Sequence, residues 1–319
     1  MIRSILVSVV IVALAIVPRI VVLEDGFLPE NNMKIPVGSL EDKGITQAQF
    51  NAVIDTAEKL YGPVIAARGG KLMVKRLWDN NTVNASAQRQ GANYVVNMYG
   101  GLARHATITQ DGFALVVCHE IGHHIGGAPK YGAGNDWASN EGQADYFANL
   151  KCLRRMFSAP GASSFTRPKG DDPGPRPACE SAFQSESDRA LCVRGSEAGM
   201  SVTSLFRALR NETVIPRYDT PDPAVVARTA DGHPASQCRL DTYYSGSICS
   251  RGVGDELSET DAAAGTCTAA SGHTLGLRPR CWYKPAQGAA EVPEVAMKSA
   301  PKAPALLKSL ENQALWSGL

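Results

Sequence analysis

The stretch CHEIGHHIGG, Cys118–Gly127, places three of the chain's six histidines within six positions and ends on a glycine pair. Residues four apart lie one above the other on a helix, so His119 and His123 face the same way and their imidazoles can share one ion. Glu120 stands beside the first of them. It completes the His-Glu-x-x-His pattern, in which the histidines hold zinc and the glutamate acts as general base. Upstream, the apolar run DGFALVV offers a face that would bury this helix, and Gly126–Gly127 offer a C-terminal stop. Cys118 lies about 100° around the helix from His119 and is not counted as a ligand.

A catalytic zinc usually takes three protein ligands and leaves a fourth position to water, so a third ligand is needed. Downstream, NEGQADYFANLKCLRRMF (Asn140–Phe157) reads as a second helix, with Glu141 and Asp145 again four apart on one face. Glu141 can complete a two-histidine, one-glutamate site. Asp145, one turn further on, is placed to accept the distal N–H of a ligand histidine and fix its tautomer. Together these residues predict one Zn²⁺ per chain.

The pairing of HEIGH with NEGQAD resembles the gluzincin metallopeptidases, in particular the family of the CaaX prenyl endopeptidase and bacterial envelope proteases, whose second motif reads Glu-x-x-Ala-Asp. VNASAQRQGANYVVNMYGGL (Val83–Leu102) is similar to the family's Asn-Ala strand and following Gly-Leu, and DGHPASQCR to its His-Pro-x-x-x-x-Arg element. The likeness runs over roughly residues 45 to 240, in the family's order, with a shorter gap between the two zinc motifs than many members have. It implies an α+β, mainly helical zincin-like domain with a small β-sheet, and a zinc-dependent endopeptidase activity.

Under that resemblance His233 is the candidate donor to the carbonyl oxygen as peptide hydrolysis charges it, or else a fourth zinc ligand that swings away for catalysis. Arg239 would orient the motif by pairing with an acid near the zinc helices. Asn84 and Ala85 would border the cleft on a strand edge able to hydrogen-bond an extended peptide substrate as an added strand. LMVKRLW and NYVVNMY are the expected sheet neighbours of the Asn84–Ala85 strand, by their β-branched and aromatic content.

The N-terminus carries Arg3 and then an apolar run, Ile5–Val17, interrupted by Pro18 and Arg19, which predicts export. Residues 1–23 are read as a signal peptide or an N-terminal anchor, with possible membrane association through residues 5–23. Eight cysteines, an even number, fit the disulfides of a periplasmic or secreted protein. Cys179 and Cys192 are candidates to pin one loop, Cys118 and Cys152 to bridge the two zinc helices or stay as buried thiols. Cys238, Cys249, Cys267 and Cys281 lie in a region with little apolar periodicity that needs staples.

The 319 residues, 44% of them hydrophobic, suffice for one sizeable core with appendages, and a formal net charge of +1 gives no electrostatic reason to expect nucleic acid. The expected organisation is a metallopeptidase domain over 24–240, interrupted by an exposed Pro/Gly-rich loop at 158–178, then a cysteine-rich region over 241–284 and a disordered tail over 285–319. A helix should start at a Thr46/Gln49 capping box and close at Gly69–Gly70. The partner is a peptide or protein substrate, and the sequence leaves the oligomeric state open. The alternative is a catalytically silent, zinc-containing envelope binding or assembly factor. Retention of Glu120, the base that a silent site loses first, favours the enzyme.

Overall fold

The apolar run Phe113–Val117 leads straight into the histidine motif, and in the computed structural model the two form one helix, α3 (Gln110–Ile125), started by the Thr109 hydroxyl, which accepts from the Gly112 N–H. The structure describes residues 20–22, 26–132, 134–160 and 174–286. Most of the export segment, the middle of the 158–178 loop and nearly all of the tail lie outside the described residues. Every residue of α3 is buried. It is wrapped by α1 (Gln47–Ala66), α4 (Glu141–Phe147), α7 (Glu186–Leu209) and one face of a sheet. Helix α1 carries the expected capping box, with the Thr46 side chain on the Gln49 N–H and the Gln49 side chain on the Thr46 N–H.

The sheet is built from β1 (Ile20–Val22), β2 (Lys71–Leu77), β3 (Ala85–Gln90) and β4 (Asn93–Tyr99), in the order β1-β3-β4-β2. Strands β3 and β4 form an antiparallel hairpin, while β2 runs parallel to β4 in the register Lys71↔Asn93 through Leu77↔Tyr99. Of the two strands expected beside the Asn84–Ala85 strand, β4 pairs with β3 as expected, whereas β2 lies one strand further on, against β4; the architecture is α+β. Strand β1 falls within residues 1–23, the segment read as a signal peptide or N-terminal anchor. Its backbone pairs antiparallel with the outer edge of β3, Val22 opposite Gln88, a role suited to the β-branched Ile20, Val21 and Val22.

The second motif starts at Asn140, whose side chain accepts from the Gln143 N–H and caps α4. The expected single helix to Phe157 is interrupted by a π-helical stretch, Ala148–Cys152, before α5 (Leu153–Phe157) completes it. Asn149 in that stretch is buried, and its amide donates to the Gly195 carbonyl at 2.9 Å and to Ser247 Oγ at 2.6 Å. The Cys118–Cys152 disulfide ties the same stretch to α3. After α6 (Arg176–Ala182), which takes in the end of the expected 158–178 loop, Cys179–Cys192 joins α6 to α7.

The boundary expected at residue 240 falls inside α8 (Ser236–Ile248), a single continuous helix, so the cysteine-rich region is part of the same body. Cys238–Cys281 and Cys249–Cys267 fold the following loops back onto α8, and no cysteine is left free. Trp282 is fully buried there, its ring lying where a Cβ on Gly142 of α4 would sit. Four disulfides fit an oxidising compartment. Among the described residues no helix is long and apolar enough to cross a membrane.

Because α3 is buried all round, its charged residues need buried partners. Asp111 in its first turn takes a bidentate pair from Arg194 of α7, 2.7 Å at each oxygen, and the guanidinium lies 3.9 Å over the Phe157 ring. Replacing Asp111 by Ala takes the bidentate carboxylate away from a buried guanidinium and is expected to cost about 3–5 kcal/mol. Urea denaturation of the oxidised protein reads this directly. A loss below about 1 kcal/mol would mean that the pair behaves like a solvent-screened one.

Candidate metal centre

On α3 the rings of His119 and His123 stand one turn apart, with centroids 4.6 Å from each other. Both Nε2 atoms point at the carboxylate of Glu141, the first residue of α4: His119 to Oε2 at 3.4 Å and His123 to Oε1 at 3.5 Å. One ligand atom from each of the three residues lies within 4.8 Å of the others, a group that could hold a metal ion. The helices come this close because residue 122 is glycine. A Cβ there would meet Phe147 Cδ1 at 2.9 Å and the Ala144 backbone at 3.1 Å.

The other ring nitrogens are held from behind. His119 Nδ1 is 2.7 Å from Asp145 Oδ1, and His123 Nδ1 is 2.8 Å from the Ser139 carbonyl. Both oxygens only accept, so each Nδ1 is a donor and each Nε2 is left facing the centre. Asp145 is held in turn by Arg239 from α8, with Nη2 on Oδ1 at 2.6 Å. Arg239 is fully buried, bonded through Nε to the Tyr243 hydroxyl and stacked 3.9 Å over Phe206. His124 turns away from this group. Its Nδ1 accepts from Arg89 Nε at 2.9 Å and its Nε2 donates to the Val95 carbonyl, while burial and then the Arg89 charge keep its pKa well below the usual value.

Glu120 is fully buried, and neither carboxylate oxygen has a hydrogen-bond partner among the described residues. His119 Nε2 and Glu141 Oε2 share that condition. Buried polar atoms that converge without bonding each other are costly, and a cation held between two imidazoles and a carboxylate removes the cost. The nitrogen and oxygen donors fit a divalent transition metal.

Burial pushes the Glu120 carboxyl up to about 8, with the Glu141 charge adding to it and His119 opposing it. For His119 burial acts downward but is outweighed by the charges of Asp145 and Glu141, which raise it to about 9. Burial takes His123 down to about 4. Burial would raise the Glu141 carboxyl, but His233 and His119 hold it well below the usual carboxylate range.

The remaining candidates surround this group. His233 lies outside the three-residue set, with Nε2 3.4 Å from Glu141 Oε2, and donates to the Gly26 carbonyl at 2.9 Å. Asn84 and Ala85, expected to meet a substrate strand, are engaged by the chain itself. Asn84 Oδ1 accepts from the Leu28 N–H at 2.8 Å, its Nδ2 donates to the Leu28 carbonyl, and the Ala85 carbonyl accepts from the Phe27 N–H at 2.9 Å. Sequence reasoning missed Tyr131, in the connection between the two motifs, whose hydroxyl donates to Glu141 Oε1 at 2.9 Å. It also missed the Ser139 carbonyl, since backbone groups carry no residue-type signal. Comparison with protein-family models, curated proteins and solved structures finds no match to this chain.

Metal uptake by chelator-treated protein should require His119, His123 and Glu141 and release protons. At pH 7, below the pKa of both His119 and Glu120, binding should expel about two protons and tighten as pH rises. Calorimetric titration in buffers of different ionisation enthalpy counts them. Asp145→Asn, which leaves the His119 ring poorly oriented, should weaken the metal by about 10–100-fold. Uptake that needs none of the three ligands would place the ion elsewhere.

Proposed function

We propose that this chain is an exported zinc-dependent endopeptidase with a gluzincin-like centre. The observation that carries this reading is Glu120: a fully buried carboxylate without hydrogen-bond partners, one residue from a metal-capable His119–His123–Glu141 group. A purely structural metal site has no use for such a group. Zinc held by those three residues would supply a Lewis acid that polarises a peptide carbonyl and acidifies a water. Glu120 takes the proton of the attacking water and hands it to the nitrogen of the departing amine. Burial raises the Glu120 carboxyl in the metal-free protein; the charge of a bound metal would ionise it, leaving a base that can accept a proton and pass it on. Asp145 and Arg239 keep the His119 ring in place while charge develops. His233, its Nε2 beside Glu141, donates to the carbonyl oxygen as it becomes negative.

What supports a peptide substrate is the outer edge of β3, which already pairs with extended chain of this protein at β1 and Phe27. The four disulfides support an oxidising, periplasmic or secreted setting.

Glu120→Gln keeps the size of the side chain and removes the base. Zinc content should stay at one per chain in both proteins, and prolonged incubation with casein, an unstructured substrate, should show cleavage by the wild type slowed about 10²–10⁴-fold in the variant. Equal cleavage by the two proteins would rule out Glu120 as the base. One zinc with cleavage by neither would favour a silent binding factor.

A further inference from the structure

Gly26–Leu28, a stretch that reads as plain connector in the sequence, lies across the metal centre. Phe27 and Leu28 are fully buried. The Phe27 ring stands edge-on to His119 at 4.8 Å and to Phe206 at 5.3 Å, beneath the Arg239 guanidinium. Its backbone bonds all go to groups that line the site. The Gly26 carbonyl accepts from His233 Nε2, the Phe27 carbonyl from Arg239 Nη1 at 3.3 Å, and the Phe27 N–H donates to the Ala85 carbonyl. Both backbone groups of Leu28 are taken by the Asn84 amide. On the same edge of β3, β1 pairs antiparallel with Gln88–Gln90. The chain's own N-terminal residues thus occupy β3 in the manner of a peptide added to a sheet edge.

We propose that Gly26–Leu28 is a built-in occupant of the peptide groove, competing in cis with extended peptides that present an aromatic side chain to the Phe27 seat, and that it keeps the protein latent. The proposal rests on the peptidase reading for what the groove does, but not for what fills it. The donor that would act on a substrate carbonyl is spent on the Gly26 carbonyl. The strand edge that would read a substrate backbone is spent on Phe27 and Leu28. The fit is close enough to exclude a side chain at residue 26, where a Cβ would meet the Ala85 carbonyl oxygen at 2.4 Å and Asn84 Oδ1 at 2.8 Å. Beyond Leu28 the chain returns to the surface, and Glu30 and Asn32 are exposed.

The test places a site-specific protease sequence after Glu30 in the full chain, so that residues 1–30 can be released from folded protein. The probe is a fluorescent synthetic peptide of residues 20–30, followed by anisotropy. The cut chain should bind this peptide saturably and the uncut chain should not, and the same peptide with Phe27→Ala should bind about 10–100-fold more weakly. If the open state is a minor population of the uncut chain, cutting should raise casein turnover by about 10–100-fold, and added peptide should reverse the gain. In the uncut chain, Gly26→Ala should admit the peptide with zinc content unchanged.

Peptide binding by the cut chain with no hydrolysis by either form would support the occupied groove and overturn the peptidase reading. Equal turnover before and after cutting, with no peptide bound and cooperative unfolding intact, would overturn the proposal. Loss of cooperative unfolding on release of residues 1–30, or a Gly26→Ala chain that still excludes the peptide, would overturn it too by making the segment a fixed part of the core.

Discussion

A helix buried on every side has to find a partner for each polar group it carries, and α3 imposes that demand on the rest of the molecule. Asp111 is answered by Arg194, His119 by Asp145, His123 by the Ser139 carbonyl and His124 by Arg89 and the Val95 carbonyl. The partners come from α7, from α4 and the loop before it, and from the β3–β4 hairpin, so satisfying α3 goes far towards setting what surrounds it. Glu120 is the one charged residue of the helix left without a hydrogen-bond partner among the described residues. An exception of that kind at the centre of a core is better explained by chemistry than by packing.

The cysteine-rich region then has a mechanical meaning. Arg239 reaches Asp145 only because α8 is pressed against α4, and α8 is held by Cys238–Cys281 at one end and Cys249–Cys267 at the other. Arg154 of α5 donates to the carbonyls of Ser247, Cys249 and Arg251, and Arg278 donates to Gln143 of α4, so the loops beyond α8 are fastened to the second motif. A region with too little apolar periodicity to fold by burial alone is organised by covalent staples and by arginines on backbone carbonyls. It serves as the back wall of the centre.

How much of this was legible in the sequence depends on the range of the signal. His119, His123, Glu141 and Asp145 were readable because helical spacing places them without knowledge of the rest of the fold. The Thr46/Gln49 capping box is equally local, and β2 and β4 announce themselves by composition. Strand β3, ASAQRQ, has only the two small alanines on its buried face and was locatable only through a family resemblance. The π-helical turn at Ala148–Cys152 has no residue signature. Tyr131, the Ser139 carbonyl and the hold of Gly26–Leu28 on the centre arise from tertiary contacts between polar or irregular stretches. The break drawn at residue 240 followed composition, whereas the chain followed the continuity of α8.

The electrostatics of the centre tie these points together. Glu120, Glu141 and Asp145 bring three carboxylates into one buried volume, and Arg239 offsets one of them. Two negative charges remain, which a low-dielectric interior does not tolerate. The protein alone answers by holding protons: His119 is raised to about 9 and Glu120 to about 8, so near neutral pH each carries one and the balance closes. A divalent cation supplies the same charge at the same place. Bound there, it would displace those protons rather than add to them, and would leave Glu120 ionised. The perturbed acidities and the convergent ligand atoms are two expressions of one requirement.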